Sequence, residues 1–308
     1  MANYLKARLR RRLPTVPPDL IDQTVKQVAA VADQPFLYAR LAASKIESEK
    51  DPSAFMAAVN HDLPSALGQN CAIVFRRALD QIQASAPTNR FILQALALSQ
   101  GRGLPEIDTI WTTVARALGA PVEVAPKATT ELFNSHARDY FIGDLYHGQT
   151  VFRFAHRTFA EAVLEELDAA APPRPTPAPS PSEAVDSSQT EAKPPKIIAV
   201  AGAAVAKAHA TIAAALTESA WQQLNRSVDR GESPEETTLN PYIAHYLPVH
   251  CALAGGEPWA GVEAHTPILD HLDPFQVANA VITRGFGSAP VQPQTAAVAS
   301  HEQLMRSL

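Results

Sequence analysis

One stretch governs what this chain can fold into: residues 169–196 read AAAPPRPTPAPSPSEAVDSSQTEAKPPK. Each proline removes a backbone donor and fixes φ, and the segment is too poor in large apolar groups to offset the entropy of ordering it. It is therefore expected to be a disordered, partly extended linker and the clearest boundary in the chain. The remainder divides into a helical domain over 1–50, a second domain over 51–168 and a helical arm over 197–308.

Upstream of the linker the apolar spacing is helical. Leu20, Ile21, Val25, Val28 and Val31, then Phe36, Leu37 and Leu41, recur at turns of a helix, broken once at Gln34-Pro35. Two helices meeting at a kink are predicted, with Asp19 as the N-cap of the first. Further helices are expected over Leu63 to Gln83, Asn89 to Ser99, Glu106 to Leu118 and Thr129 to Arg138. Gly101 and Gly103 stop the second of these, and Ile110, Trp111, Val114 and Leu118 face inward in the third.

After Arg138 the period changes from helical to alternating. Tyr140 to Leu145 and Thr150 to Phe154 read as strands around a turn at His147-Gly148, and Arg157 to Leu167 resumes as a helix. Three helices, a two-stranded wing and a closing helix predict a winged helix. The fold expected is thus mainly α: a helical bundle plus a winged helix, the proline-rich linker and a C-terminal helical arm. In the arm, helices are expected over Ile197 to Arg226, Pro241 to Ala254 and Asp273 to Ile282, followed by an irregular segment from Gly285 that reads as truncated.

Chemistry is sparse. There is no G-x-x-x-x-G-K-S/T loop, no G-x-G-x-x-G and no G-x-S-x-G. Cys71 and Cys251 have no zinc or disulfide spacing. Of the histidines, His245 and His250 would lie about 140° apart on a helix and share no metal; His209, His265 and His271 read as isolated. Asp270, His271 and Asp273 read as a cap for the next helix, and Glu165-Glu166 as a solvated face. No catalytic residue and no metal site are predicted. A net charge of −5 announces no nucleic-acid partner, and the basic run Lys6, Arg8, Arg10, Arg11 and Arg12 reads as a solvated helix face. The longest apolar stretch, Ile197 to Ala206, is too short to span a bilayer, which needs about 20 residues. A cytoplasmic protein is expected. His156, between the second wing strand and the next helix, is placed to donate to an anion at a helix N-terminus.

The runs FILQALALSQGRGLPEIDTIW and TELFNSHARDYFIGDLYHGQTVFRFAHRTFAEAVLEEL resemble the segment after the nucleotidase core in bacterial STAND-class signalling NTPases of the NACHT and AP-ATPase type. The shared pattern is a buried helix, a Gly-x-Gly-Leu-Pro turn, Ile-Trp, a wing, and His-x-x-Phe/Leu-Ala/Gln-Glu, here His156 to Glu161. Asp33 to Ala39 looks like the Gly-x-Pro or Gly-x-Phe-Leu-Tyr-Ala element of that family's first helical domain, with Asp33 in place of its usual glycine, and Asn240 to His250 is similar to the arm that follows. The resemblance implies that His156 contacts the β-phosphate of ADP in the inactive state and that Pro35 packs near the adenine. It implies ATP or ADP with Mg²⁺ for a complete family member. The P-loop, the Mg²⁺-binding acidic motif and the sensor arginine have no counterpart in this sequence, so the chain alone is expected to hold no cofactor and not to be an enzyme.

The function expected is a regulatory, signal-transducing portion of such an ATPase, coupling nucleotide state to conformational change. Its partners would be proteins, a P-loop core or a second copy of the chain. A DNA-binding winged-helix regulator is the alternative. Against it, the recognition helix expected over Thr129 to Arg138 carries Arg138 alone, beside Lys127 and with Glu131.

Overall fold

The computed structural model describes residues 1–30, 35–67, 71–105, 110–123, 129–132, 138, 140–169, 202–233, 237–283 and 291–307; the side chains of 35–36, 64–65, 71–72, 85, 282–283, 300–304 and 306–307 are excepted. The chain is mainly helical, with one small antiparallel sheet. Its first part is a helical layer: α1 (Ala2–Arg12), α2 (Pro18–Ala30), α3 (Pro35–Ser48), α4 (Pro52–His61), α5 (Leu63–Ala66) and α6 (Cys71–Ser85). Leu5, Leu9, Ile21, Val28, Leu41, Ile46 and Met56 are sealed between the first four.

Local chemistry differs here from the sequence reading in two places. The helical bonding of α2 begins with the Ile21 N–H on the Pro17 carbonyl, so Asp19 lies inside the first turn and is not its N-cap. Pro18, with its fixed φ and no N–H to satisfy, suits that first position better. The basic run of α1 is not all solvated. Arg8 makes a two-pronged ion pair with Glu47 on α3, at 2.7 and 2.9 Å, and Lys6 bonds Asp22 on α2, while Arg11 and Arg12 stay exposed. The break expected at Gln34-Pro35 falls between α2 and α3, at residues 31–34, which lie outside the described residues. The single helix expected over Leu63 to Gln83 is α5 and α6, with 68–70 outside the described residues.

Next come α7 (Asn89–Ala97), β1 (Leu104–Pro105), α8 (Ile110–Ala117), a helical turn α9 over 129–132, β2 (Phe141–Tyr146), β3 (Gln149–Phe154) and α10 (Arg157–Ala169). Residues 106–109 and 133–137, at the start and end of two expected helices, lie outside the described residues. The hairpin turns at His147 and Gly148, at φ +47° and +75°, a left-handed pair that matches the twist of the strands. The strand over Leu104–Pro105, read from sequence as part of a turn, pairs with β3 and gives the sheet order β1-β3-β2. Two glycines make this possible. At Gly103, φ +113°, any side chain would collide with the Phe152 carbonyl of β3; at Gly101, φ +60°, it would collide with the Tyr246 hydroxyl. Beneath the hairpin Phe75 stacks on Phe159 at 4.3 Å and takes Tyr140 and Phe154 edge-on.

The arm consists of α11 (Ala203–Asp229), α12 (Pro241–Leu253), α13 (Trp259–Glu263), α14 (Thr266–Leu269), α15 (Pro274–Ala278) running into a π-helical turn (Asn279–Thr283), and α16 (Pro293–Ser307). The disordered linker expected from sequence lies, after Ala169, outside the described residues, as do 197–201 of the expected alanine-rich helix. Asp273 caps α15, accepting from the Gln276 N–H at 2.8 Å, as expected of that cluster. The irregular segment expected after Gly285 is corrected from Pro293 onward, where the chain is the helix α16. A buried carboxylate organises its start: Glu263 accepts from the Gln292 N–H, the Thr295 hydroxyl and the Trp259 indole.

The arm is packed onto what precedes it. α11 lies against α8 and α10, and α12 against α11. At Gly202 a side chain would collide with the carboxylate of Asp168, so the chain re-enters the described structure beside the C-terminal end of α10. Ile212, Leu216 and Ile243 belong to the same apolar core as Trp111 and Phe159.

Candidate functional site

His156 follows β3 and precedes α10. Its Nδ1 accepts from the Thr158 N–H at 3.3 Å and lies 3.0 Å from the Thr158 hydroxyl, which can donate to it. A ring nitrogen that accepts a backbone N–H carries no proton, so neutral His156 holds its proton on Nε2. The side chain thus does the work of a helix N-cap with one nitrogen and keeps one donor, Nε2–H, beside the first turn of α10. The ring leans on Phe159, 6.1 Å between centroids, which sets its plane.

Pro35 opens α3, and its side chain is outside those described. α3 packs on α1, α2, α4 and α6, whereas α10 packs on α6, α7 and α11. The two residues singled out in the sequence therefore belong to elements whose common neighbour is α6. A cleft of about 680 Å³ opens between α3 and α6, where Lys45, Ser48, Gln81 and Tyr140 line it; His156 does not.

A second arrangement was not read from the sequence. α12 clasps the Gly101 turn and the tip of the hairpin. The Gln100 N–H donates to the Tyr242 hydroxyl at 3.2 Å, the Asn240 amide to Gln149 at 3.2 Å, and the Tyr246 hydroxyl reaches Tyr146 at 3.5 Å. His147 at the hairpin turn lies against His245, 5.1 Å between rings. His245 donates from Nδ1 to the Pro241 carbonyl and turns Nε2 toward Asp273.

Behind this seam the Tyr242 hydroxyl meets His250 Nε2 at 3.0 Å, and His250 Nδ1 meets His209 Nδ1 at 2.9 Å. The chain has one direction when neutral. Tyr242 accepts from Gln100, and its own O–H is satisfied by donating to His250 Nε2; neutral His250 then carries its proton on Nδ1 and donates to His209. Burial makes this neutral state the stable one: it lowers His209 to about 4 and His250 well below the usual histidine value, the latter helped by His209 itself, and it raises the Tyr242 phenol. His209 and His250, read from sequence as isolated, are partners. His265 instead stacks on Trp221 at 4.6 Å, and among the described residues no group of three or more His, Cys, Asp or Glu could hold a metal. The only sequence signal for the pairing was that His209 and His250 each fall on an apolar helix face.

The class that the fold defines is a mainly helical chain with a three-stranded antiparallel sheet; among the described residues no helix is long and apolar enough to cross a membrane. No family model, no curated protein and no solved structure matches it.

Proposed function

We propose that this chain is a regulatory, signal-transducing module of the STAND NTPase type, in which a winged helix reads nucleotide state through His156. The single observation that carries the reading is the state of that histidine. Its Nδ1 is committed to Thr158, which leaves Nε2–H as a donor at the N-terminus of α10, the chemistry a phosphate oxygen requires. The order α7, β1, α8, α9, hairpin, α10 supports the winged-helix part, because it surrounds a three-stranded sheet with helices in the sequence such a fold uses. In this reading ATP or ADP with Mg²⁺ is held by a P-loop core, which this sequence does not encode, and Pro35 packs beside the base.

The test is binding in trans. A P-loop core of the STAND type, supplied as a separate chain and loaded with ADP, should bind the chain at least tenfold more tightly than the same core loaded with an ATP analogue, and His156→Ala should erase that difference. Equal affinity for the two loaded forms, or no binding, would sink the proposal. Salt-sensitive retention of the chain on duplex DNA in place of core binding would point to the DNA-binding regulator instead.

A further inference from the structure

We infer that the groove between α8 and α11 is a binding site for a small molecule bearing oxyanions, phosphate or carboxylate, held by Arg116 and Arg226. The groove encloses about 780 Å³, within the range of small-molecule sites, and its lining is largely polar. One wall is the face of α11 that carries Ser219, Gln222, Arg226 and Arg230 on successive turns, and the other is Thr113 and Arg116 of α8.

The argument rests on which of these charges is already satisfied. Arg230 is paired with Glu232 at 2.6 Å and with the Ser227 hydroxyl, and Glu218 accepts from Gln222. Arg226 bonds only a carbonyl, that of Gln222, through Nε at 3.2 Å, and its side chain is exposed. Arg116 gives one terminal nitrogen to the Val122 carbonyl at 2.6 Å, and its Nε is buried without any partner. Among the described residues neither guanidinium has a carboxylate. The Nε of Arg116, sealed from solvent, is closed to the groove, so both guanidinium groups offer a ligand their terminal nitrogens. Guanidinium donors suit an oxyanion in planar, two-pronged geometry, and Thr113 and Ser219 line the same groove.

The position gives the site a consequence. α8 precedes the proline-rich segment and α11 follows it, so a ligand bridging Arg116 and Arg226 binds only the docked arrangement and stabilises it by mass action. This is separate from His156, which is not in the groove.

The experiment is a titration of the full chain with inorganic pyrophosphate, and in parallel with citrate, each against sodium chloride at matched ionic strength. Thermal unfolding and amide exchange are read together. A saturable rise in Tm with pyrophosphate, with exchange slowed in both α8 and α11, is expected; a response to citrate of equal strength identifies the ligand as a carboxylate as readily as a phosphate. Arg226→Gln, at an exposed position that leaves the circular dichroism spectrum unchanged, should weaken binding about tenfold, and Arg116→Gln likewise. No saturable response beyond the chloride control, or unchanged binding in both variants, overturns the inference and leaves the arginines as caps for the helix ends.

Discussion

The hairpin region, residues 71–169, and the arm, residues 203–307, are held together by different physics. In the first, rings pack on rings: Phe159 is fully buried against Phe75 and Tyr140, and Trp111 lies 5.9 Å from Phe152. Such contacts follow ring geometry and not protonation state. In the arm, buried polar groups are tied one to one, Tyr242 to His250 to His209, and Glu263 to Trp259, Gln292 and Thr295. Each such link works in one protonation state and one geometry. The apolar region should therefore lose stability by degrees, and the arm conditionally.

The harshest way to break this comparison is Phe159→Ala, which should cost about 3–5 kcal/mol through the cavity it leaves. The measurement is urea unfolding followed by tryptophan emission. Trp111 reports the first region, Trp221 and Trp259 the arm, so a Trp111→Phe background isolates the arm's signal. Because the two regions share one core, both signals should move to the same lower midpoint. Separate midpoints would show that the arm stands alone.

Acid tests the arm. A buried histidine lowered to about 4 stays neutral in the folded state while its unfolded counterpart, near 6.5, takes up a proton. Its contribution is complete above pH 6.5 and is lost as pH falls toward 4, about 3 kcal/mol for His209 alone. His209→Gln should reduce the slope across that window, the share of buried His250 remaining. An equally steep pH profile in the variant would place the acid sensitivity elsewhere.

Gly101→Ala sharpens the boundary between the regions. It puts a side chain at positive φ and against the Tyr246 hydroxyl, so a loss of about 2 kcal/mol is expected. Exchange should rise in α12 while the Phe75–Phe159 core keeps its protection; uniform loosening would count against a local clasp. The smallest effect is His156→Ala, which removes the acceptor for the Thr158 N–H and should cost about 1 kcal/mol. A loss several times larger would mean that His156 is structural before it is anything else.

Much of the helical framework and the hairpin were legible because they are local. Ile110, Trp111 and Val114 announce the buried face of α8 by spacing alone, and His147-Gly148 announces the turn. β1 was not legible, since two residues, Leu104 and Pro105, carry no period. Its existence depends on β3 arriving alongside. The candidate site divides in the same way: the position of His156 before a helix could be read, but not that Thr158 occupies its Nδ1.

By itself, then, the sequence determined where much of the helical framework and the two hairpin strands lie, and which of their faces are apolar. The tertiary structure alone decided that the arm returns to lie on α8 and α10, that Tyr246 occupies the space at Gly101, and that His209 meets His250 across 41 residues. The reason is physical. Periodicity records which side of an element is buried but not against what, and a buried polar group takes its charge state and tautomer from the partner it meets, which no local pattern names.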